Sequence, residues 1–531
     1  MAGLVLLVNG LSPAESPALR SGRVVEVACR VDQLDLVRMA RDYYPGRSGD
    51  IEIVPRDPDF VAAPGGGVTN EGAGPHLQRV PLLLFGPGYI KRGRTKYRPA
   101  TTAAISPTIA RLVGFTPSSW FPEEAPLSEA LRREPAGGHP PKLVVTVVWE
   151  GVGRNVLAKW GGAWPNLRQF RDRGAWYDKA SAGSSPPAGS AVQATIGTAV
   201  YPRTHGIVGD SFRRGHGVVT TWSGGPSDLV VPTFADIYDR AESNRPLVGL
   251  VGADQAGLGL IGHGAAGRGG DRDIVALHSP SGGGDRWGPP TAPWGHDYGS
   301  VASLDSFPGL AGANRRLDAM DGTRDGRWEG ARIAGLAGGF DTPSGIDYET
   351  AAVEHLVREQ GFGRDGVPDL LFVTYGQART AQARWGLGSP QMRDSVQALD
   401  RSLLSLRHFL NQVVGDSQWV MILTADHGAR GNPAVTGGYA IDPIRLKADL
   451  QQRFGGGGNQ PPVVQAVSPT QIWLNRDTLR RRGYTSYDVS RFLLGYTRAA
   501  NGAPNGDLSD ERVFEAAFPT GLLPRLPCLG S

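Results

Sequence analysis

The sequence predicts an α/β fold in which a mostly parallel sheet carries helices on both faces. Short, continuous apolar runs recur along the 531-residue chain, as in strands that are buried on both faces. Amphipathic helical patterns lie between these runs, and this alternation is typical of parallel sheets. Hydrophobic residues make up 40% of the chain and charged residues 20%, which allows a large core and excludes a disordered chain.

The apolar runs predict five buried strands. In chain order they are residues 80–85, 143–148, 247–251, 370–374 and 419–423. Residues 1–8 are also apolar, but no basic segment precedes the run, so we interpret it as a strand or an unstructured start rather than a signal peptide.

Two helices and one long loop complete the predicted elements. Residues 105–113 have a proline in their first turn and a glycine after their end, which is typical of a short helix. Residues 391–412 place apolar side chains three and four positions apart, as an amphipathic helix does. The glycine-rich stretch 262–345 predicts a long loop that packs over the edge of the sheet.

Charge and cysteine content exclude several classes of protein. The 55 basic and 51 acidic residues give a net charge of +4, too weak a balance to indicate a nucleic-acid or membrane partner. The basic run 480–482 is interpreted as a solvated helix face. Two cysteines, Cys29 and Cys528, cannot build a framework of several disulfides or a cysteine-rich zinc site. No apolar window is long enough to span a membrane, and we expect a cytoplasmic protein.

One short motif indicates chemistry. The run Thr424-Ala-Asp-His-Gly428 directly follows a predicted strand, and open α/β sheets place reactive groups at the carboxyl ends of their strands. A carboxylate and an imidazole together suit zinc. Asp426 and His427 are therefore candidate metal ligands. The alternative is an aspartate that caps the backbone beside a hydrogen-bonded histidine.

Further segments carry a family pattern over most of the chain. They are 143–151, 163–167, 183–186, 194–198, 201–207, 368–373 and 389–394, together with 47–50, 80–88 and 106–109. With the Asp-His-Gly motif, these segments resemble the alkaline phosphatase superfamily, and most of all its type I phosphodiesterase/nucleotide pyrophosphatase branch. The resemblance implies a three-layer, alkaline-phosphatase-like sandwich.

Two of these segments, 47–50 and 80–88, are out of the family order. In the family they follow the Asp-His-Gly motif, whereas here they precede the first strand of the pattern. We therefore predict a circular permutation within one structural domain. Residues 1–133 then correspond to the C-terminal part of the family domain, 134–141 form a linker, and 142–531 form the main body. A partial domain fused to a second copy is the alternative.

The resemblance also implies a site for two metal ions and a threonine or serine nucleophile. In the first metal site, the aspartate of the first strand is replaced by Glu150, whereas Asp426 and His427 are unchanged. The nucleophile position falls on Gly189, which has no side chain to attack with. Ser190, one residue further on, is the candidate substitute.

The second metal site is the more degenerate one. Its ligand positions fall on Arg379, Ala383 and Glu71, of which only the glutamate can bind a cation. Arginine is always cationic and cannot ligate a metal, so we expect this site to be empty. Glu150, Asp426 and His427 could hold one zinc or manganese ion, and no other cofactor is indicated.

The missing nucleophile and the missing ligands of the second metal site favour a non-hydrolytic member of the superfamily. Such a protein would have a binding, regulatory or structural role. One alternative is a divergent hydrolase of phosphate mono- or diesters that uses a single metal ion, with water or Ser190 as its nucleophile. Another is one subunit of a hetero-oligomer whose partner is an active paralogue. The sequence names neither a substrate nor a partner.

Overall fold

The structure of the protein, a computed structural model, describes most of the chain. It covers residues 17–64, 67–93, 97–115, 120–262, 270–279, 286–290, 294–299, 301, 303–304, 307–320, 322–455, 461–504 and 506–529. Every structural statement below refers to these residues. The predicted strand or unstructured start at 1–8 lies outside them.

The described helices are numbered in chain order. They are α1 (Pro17–Ala28), α2 (Gln33–Asp42), α3 (Pro75–Gln78), α4 (Ile105–Val113), α5 (Arg154–Lys159), α6 (Pro165–Arg173), α7 (Gly189–Thr198), α8 (Pro202–His205), α9 (Phe234–Ala241), α10 (Gln255–Gly262), α11 (Ala311–Asp318), α12 (Pro343–Gln360), α13 (Gln377–Trp385), α14 (Pro390–Leu410), α15 (Pro433–Thr436), α16 (Pro443–Phe454), α17 (Arg476–Arg481) and α18 (Ser486–Leu494).

The described strands follow the same convention. They are β1 (Ile51–Pro55), β2 (Phe60–Val61), β3 (Leu82–Phe85), β4 (Ala100–Thr101), β5 (Leu143–Trp149), β6 (Ala175–Trp176), β7 (Ala180–Ser181), β8 (Ser211–Arg214), β9 (Gly217–Thr220), β10 (Val248–Gly252), β11 (Ile274–Ser279), β12 (Arg286–Gly288), β13 (Arg327–Trp328), β14 (Ala331–Arg332), β15 (Asp369–Tyr375), β16 (Trp419–Thr424), β17 (Ala440–Ile441), β18 (Val464–Val467), β19 (Gln471–Leu474) and β20 (Phe514–Pro519).

An eight-stranded central sheet forms the middle of the molecule, in the order β12-β11-β10-β15-β5-β16-β3-β6. The strands from β11 to β16 are parallel to one another, and β12, β3 and β6 add antiparallel pairs at the two sides. All five strands predicted from apolar runs are present in this sheet. Every residue of β5, β15 and β16 is buried, which explains why the sequences of these strands are nearly continuous apolar runs.

Helices cover both faces of the central sheet, which confirms the predicted α/β fold. Alternate side chains of a strand point to opposite faces, and β5 shows the result. Val145 and Val147 belong to a core that includes residues of α6, α12 and α14. Val144 and Val148 belong to a second core, which includes residues of α4, α7 and α10. The three layers are thus helix, sheet and helix.

A smaller, four-stranded antiparallel sheet joins the two ends of the chain, in the order β18-β19-β1-β20. The disulfide Cys29–Cys528 links the same two regions, a pairing that the sequence analysis did not anticipate. Residues 22–133 therefore contribute β1 to this sheet and β3 to the central sheet, beside β16.

The predicted loop at 262–345 differs from the structure. This stretch contains β11 and β12, which form one edge of the central sheet instead of packing over it. The predicted helices agree closely, since α4 spans Ile105–Val113 and α14 spans Pro390–Leu410. Among the described helices, none combines the length and the apolar character that crossing a membrane requires.

Candidate functional site

The candidate site lies where the central parallel strands end. Glu150 follows β5, Asp254 follows β10 and Asp426 follows β16, while Arg379 lies in the first turn of α13, just after β15. The carboxyl ends of parallel strands open at the same edge of a sheet, so these four side chains meet in one cleft. The cleft is a cavity of about 190 Å³.

All the site residues singled out in the sequence line this cavity. They are Glu71, Glu150, Gly189, Ser190, Arg379, Ala383, Asp426 and His427. The loop that carries Glu71 is fastened to α13 by a hydrogen bond from the Asn70 amide to Gln382. The structure thus brings together residues that are widely separated in the chain.

Asp426 is fully buried and uses only one of its oxygens in hydrogen bonds. Its Oδ1 accepts from the backbone N–H groups of Gly151, at 2.8 Å, and of His427, at 2.7 Å. Its Oδ2 has no hydrogen-bond partner among the described residues and lies 3.6 Å from His427 Nε2. His427 Nδ1 is 2.7 Å from the carbonyl oxygen of Gly428, so we assign its proton to Nδ1 and a lone pair to Nε2.

Gly151 lets the Asp426 backbone contact form. Its φ is +75°, in the left-handed region that favours glycine. A Cβ atom there would also lie only 3.1 Å from the Cα of Arg379 and 3.5 Å from Cε1 of His427. Glycine at this position therefore allows the first strand, α13 and the Asp-His pair to approach one another closely.

Both oxygens of Glu150 are occupied. Oε2 accepts from Arg379 Nε at 2.9 Å, and Oε1 accepts from Gln193 Nε2 at 3.1 Å. Glu150 is 3% exposed, and this burial raises the pKa of its carboxyl even though Arg379 opposes the shift. Glu150 in turn raises the pKa of the Arg379 guanidinium. The two side chains therefore form an ion pair that lines the cleft, with a buried carboxylate and a half-exposed guanidinium.

Gly189 begins α7 and faces the unpartnered oxygen of Asp426. A Cβ built on Gly189 would meet only that Oδ2 atom, at 3.3 Å. The position that the family resemblance predicts for the nucleophile thus faces the Asp-His pair but has no side chain. The adjacent Ser190 donates a hydrogen bond from Oγ to Asp210 Oδ1 at 2.7 Å, so its hydroxyl is held by a carboxylate.

Glu71 adds a carboxyl group whose charge is suppressed. Desolvation in the cleft, together with the nearby Asp210, raises the pKa of Glu71 to about 8. The protonated form of this carboxyl is therefore favoured at pH 7.

The donors in this cleft do not fit a two-metal centre. Both Glu150 oxygens are engaged, Arg379 is a cation, and Ala383 has no donor atom. Within the described ranges, no three His, Cys, Asp or Glu side chains are placed to hold one metal ion. What remains is a converging pair of acceptor atoms, Asp426 Oδ2 and His427 Nε2.

The cleft also has lining residues that the sequence analysis did not identify, among them Gln193, Asp210 and Asp254. Asp254 follows the end of a predicted strand, so the rule that found Asp426 could also have found it. Gln193 lies one helical turn after Gly189, on the same side of α7. No sequence signal marks Asp210, because only the path of the loop after α8 brings it to Ser190.

His205 fixes that loop from a fully buried position. Its Nδ1 accepts from the Ile207 N–H at 3.1 Å, and its Nε2 is 3.1 Å from Thr195 Oγ1. These contacts hold the imidazole neutral with its proton on Nε2. Burial lowers the pKa of His205 to about 3. The histidine is a positioning residue for the chain segment that carries Asp210.

We expect His205 to make the protein less stable in acid. Between its lowered pKa and the usual value of about 6.5, the unfolded chain takes up a proton that the folded chain refuses. Stability therefore falls as the pH falls through this window, by about 2 kcal/mol for this group between pH 7 and pH 5. Chemical unfolding at both pH values should show a smaller loss for His205→Gln than for the parent. Equal losses would contradict this assignment.

Comparison with known proteins agrees with the fold. A family model for type I phosphodiesterase/nucleotide pyrophosphatase matches residues 144–518, which is most of the chain. The chain therefore belongs to this family, within the alkaline phosphatase superfamily. The predicted family resemblance is confirmed.

Individual relatives have low sequence identity to this chain, and each matches only part of it. Alkaline phosphatase PafA of Elizabethkingia meningoseptica is 22% identical over 193 residues, which is 35% of this chain and 34% of that protein. A calcium-transporting ATPase of Myroides odoratus is 24% identical over 148 residues, or 26% of each chain. The matched stretches thus span about a quarter to a third of these relatives. The crystal structure of wild-type PafA superposes with a TM-score of 0.50 at 15% identity, covering 68% of this chain and 77% of that one.

Proposed function

We propose that this chain is a non-hydrolytic member of its family and binds ligands in the cleft without turning them over. The observation that carries the proposal is Gly189, which occupies the position facing the Asp-His pair and offers no atom to attack phosphorus. The internal pair of Glu150 with Arg379 supports it, because it occupies a carboxylate that would otherwise be free to bind a cation.

The alkaline phosphatase relatives are named for phosphate ester hydrolysis, and this reaction requires groups that the cleft lacks. Phosphoryl transfer needs a positioned nucleophile and cations that neutralise the attacking, leaving and non-bridging oxygens. Arg379 can offset negative charge, but a guanidinium does not activate a bound water as a metal ion does. Loss of the nucleophile and of the second-site donors removes contributions that are each worth several kcal/mol.

The test is a hydrolysis assay with p-nitrophenyl phosphate and bis-p-nitrophenyl phosphate, supplied with zinc, manganese or magnesium. We expect a rate no higher than that of the double variant Asp426→Ala/His427→Ala, assayed in parallel. Gly189→Thr should remain inactive, since Ala383 and Arg379 still lack metal-binding atoms. A parent rate that disappears in the double variant would refute the proposal.

A divergent one-metal hydrolase is the second candidate, and one observation favours it. Asp426 Oδ2 and His427 Nε2 converge with no hydrogen bond between them, as two ligands of a zinc or manganese ion would. Ser190, held by Asp210, would then be the candidate nucleophile. Metal analysis by mass spectrometry and loss of activity in Ser190→Ala would identify this alternative.

A further inference from the structure

A second cavity, of about 380 Å³, lies outside the candidate site. It is formed where the β8–β9 hairpin meets β18 and the start of α17. Four of its lining residues are arginines, namely Arg213, Arg476, Arg480 and Arg481. We call this cavity the arginine groove. None of its lining residues borders the cleft around Glu150.

Hydrogen bonds and ion pairs link the side chains at the floor of the arginine groove. Arg213 is 11% exposed and donates from Nη2 to Asp50 Oδ2 at 2.6 Å and from Nη1 to Gln465 Oε1 at 2.6 Å. The buried Asp50 also accepts from the Leu474 N–H at 2.6 Å and pairs with Arg476. These bonds join β8, β18 and β19 to the start of α17 and hold the guanidinium groups of Arg213 and Arg476, whereas the Arg480 side chain is 77% exposed.

The groove carries an unbalanced positive charge. Its four arginines face two carboxylates, because Asp50 serves both Arg213 and Arg476, and Asp477 pairs with Arg480 at 2.6 Å. Among the described residues, Arg481 has no carboxylate partner, and its Nη2 donates only to Thr478 Oγ1 at 3.1 Å. The local balance is thus two positive charges.

We propose that the arginine groove binds a compact ligand that carries several phosphate groups. Guanidinium groups bind the oxygens of phosphate through paired, charge-assisted hydrogen bonds. The groove volume falls within the range of about 300–1,000 Å³ that is typical of small-molecule sites. Because the arginines lie on both β8 and α17, a chain of linked phosphates can contact more of them than a single phosphate ion can. The basic run 480–482, taken from the sequence as a solvated face, is then in part a binding surface.

The probe is tripolyphosphate, titrated by calorimetry into the whole protein at low ionic strength. We expect one ligand per chain and a loss of affinity of at least about tenfold in Arg480→Gln/Arg481→Gln. Orthophosphate should bind much more weakly than tripolyphosphate, and added salt should weaken both. The single variant Arg481→Gln repeats the test at the arginine without a carboxylate partner.

Arg245→Gln is the matched control. Arg245 is exposed and pairs with a carboxylate three residues away, as Arg480 does, but lies outside the groove. This variant should bind like the parent. No binding of tripolyphosphate, unchanged binding in both groove variants, or equal affinity for orthophosphate would overturn the proposal. So would tighter binding of a short DNA duplex through the same arginines. The test does not involve the cleft, so its result is independent of whether the protein hydrolyses esters.

Discussion

Replacing both cysteines by serine should lower the free energy of unfolding by about 2–5 kcal/mol. The disulfide Cys29–Cys528 connects the segment after α1 to a turn near the C-terminus, and so closes a loop of nearly the whole chain. Such a link mainly restricts the unfolded chain, and the restriction grows with the length of the loop. The measurement is the guanidinium unfolding midpoint of protein made in an oxidising compartment.

Reductant provides the control for this prediction. Dithiothreitol should lower the parent midpoint to that of Cys29→Ser/Cys528→Ser and leave the double variant unchanged. Two titratable thiols in the denatured but unreduced parent would show that the bond is absent. The cytoplasmic location stays a prediction, and an oxidised pair would argue against it, because disulfides persist mainly in oxidising compartments.

Arg379→Gln should cost about 1–3 kcal/mol of stability, because it leaves Glu150 buried with Gln193 as its one side-chain partner among the described residues. Arg379 is itself 49% exposed, which keeps the expected cost below that of a fully buried pair. Adding Glu150→Gln should restore most of the loss, since the double variant has no uncompensated charge. The free energy of unfolding of all four proteins gives the coupling energy.

Arg384→Gln is the matched control for the pair. It lies on the same helix, is 47% exposed and reaches Asp341 at only 3.8 Å. An exposed pair of this kind contributes about 0–1 kcal/mol. A coupling energy near zero between Arg379 and Glu150, or equal losses for Arg379→Gln and Arg384→Gln, would show that the guanidinium is not required to compensate Glu150.

The central sheet could be predicted because its signal is local. Strands such as β5 and β16 are buried on both faces and therefore stand out as apolar runs. The small sheet carries no comparable signal. β1 is five residues long, and its two neighbours lie at the opposite end of the chain, so only the folded structure shows the pairing. Edge strands β11 and β12 were missed because they lie within a glycine-rich stretch.

In the candidate site, too, local sequence signals could be predicted, whereas contacts between distant residues could not. Asp426 and His427 follow a strand in an adjacent pair, and the family pattern adds Glu150, Gly189 and Arg379. The partners of these residues depend on three-dimensional geometry: that Arg379 pairs with Glu150, and not with Glu71 or a bound anion, could not be derived from spacing. The circular permutation stays a prediction. The position of β3 beside β16 is one that such an arrangement requires.

The place of β1 between β19 and β20 has a consequence for how the protein is made. A ribosome adds about 5–20 residues per second, so β1 emerges on the order of tens of seconds before either neighbour exists. Its backbone N–H and C=O groups stay unpaired during that interval, and an open strand can attach to other nascent chains. Completion of the small sheet must therefore wait for the last strand, whereas most of the central sheet can assemble earlier. The pairing of β1 with β19 and β20 is therefore a late event in the synthesis of this protein.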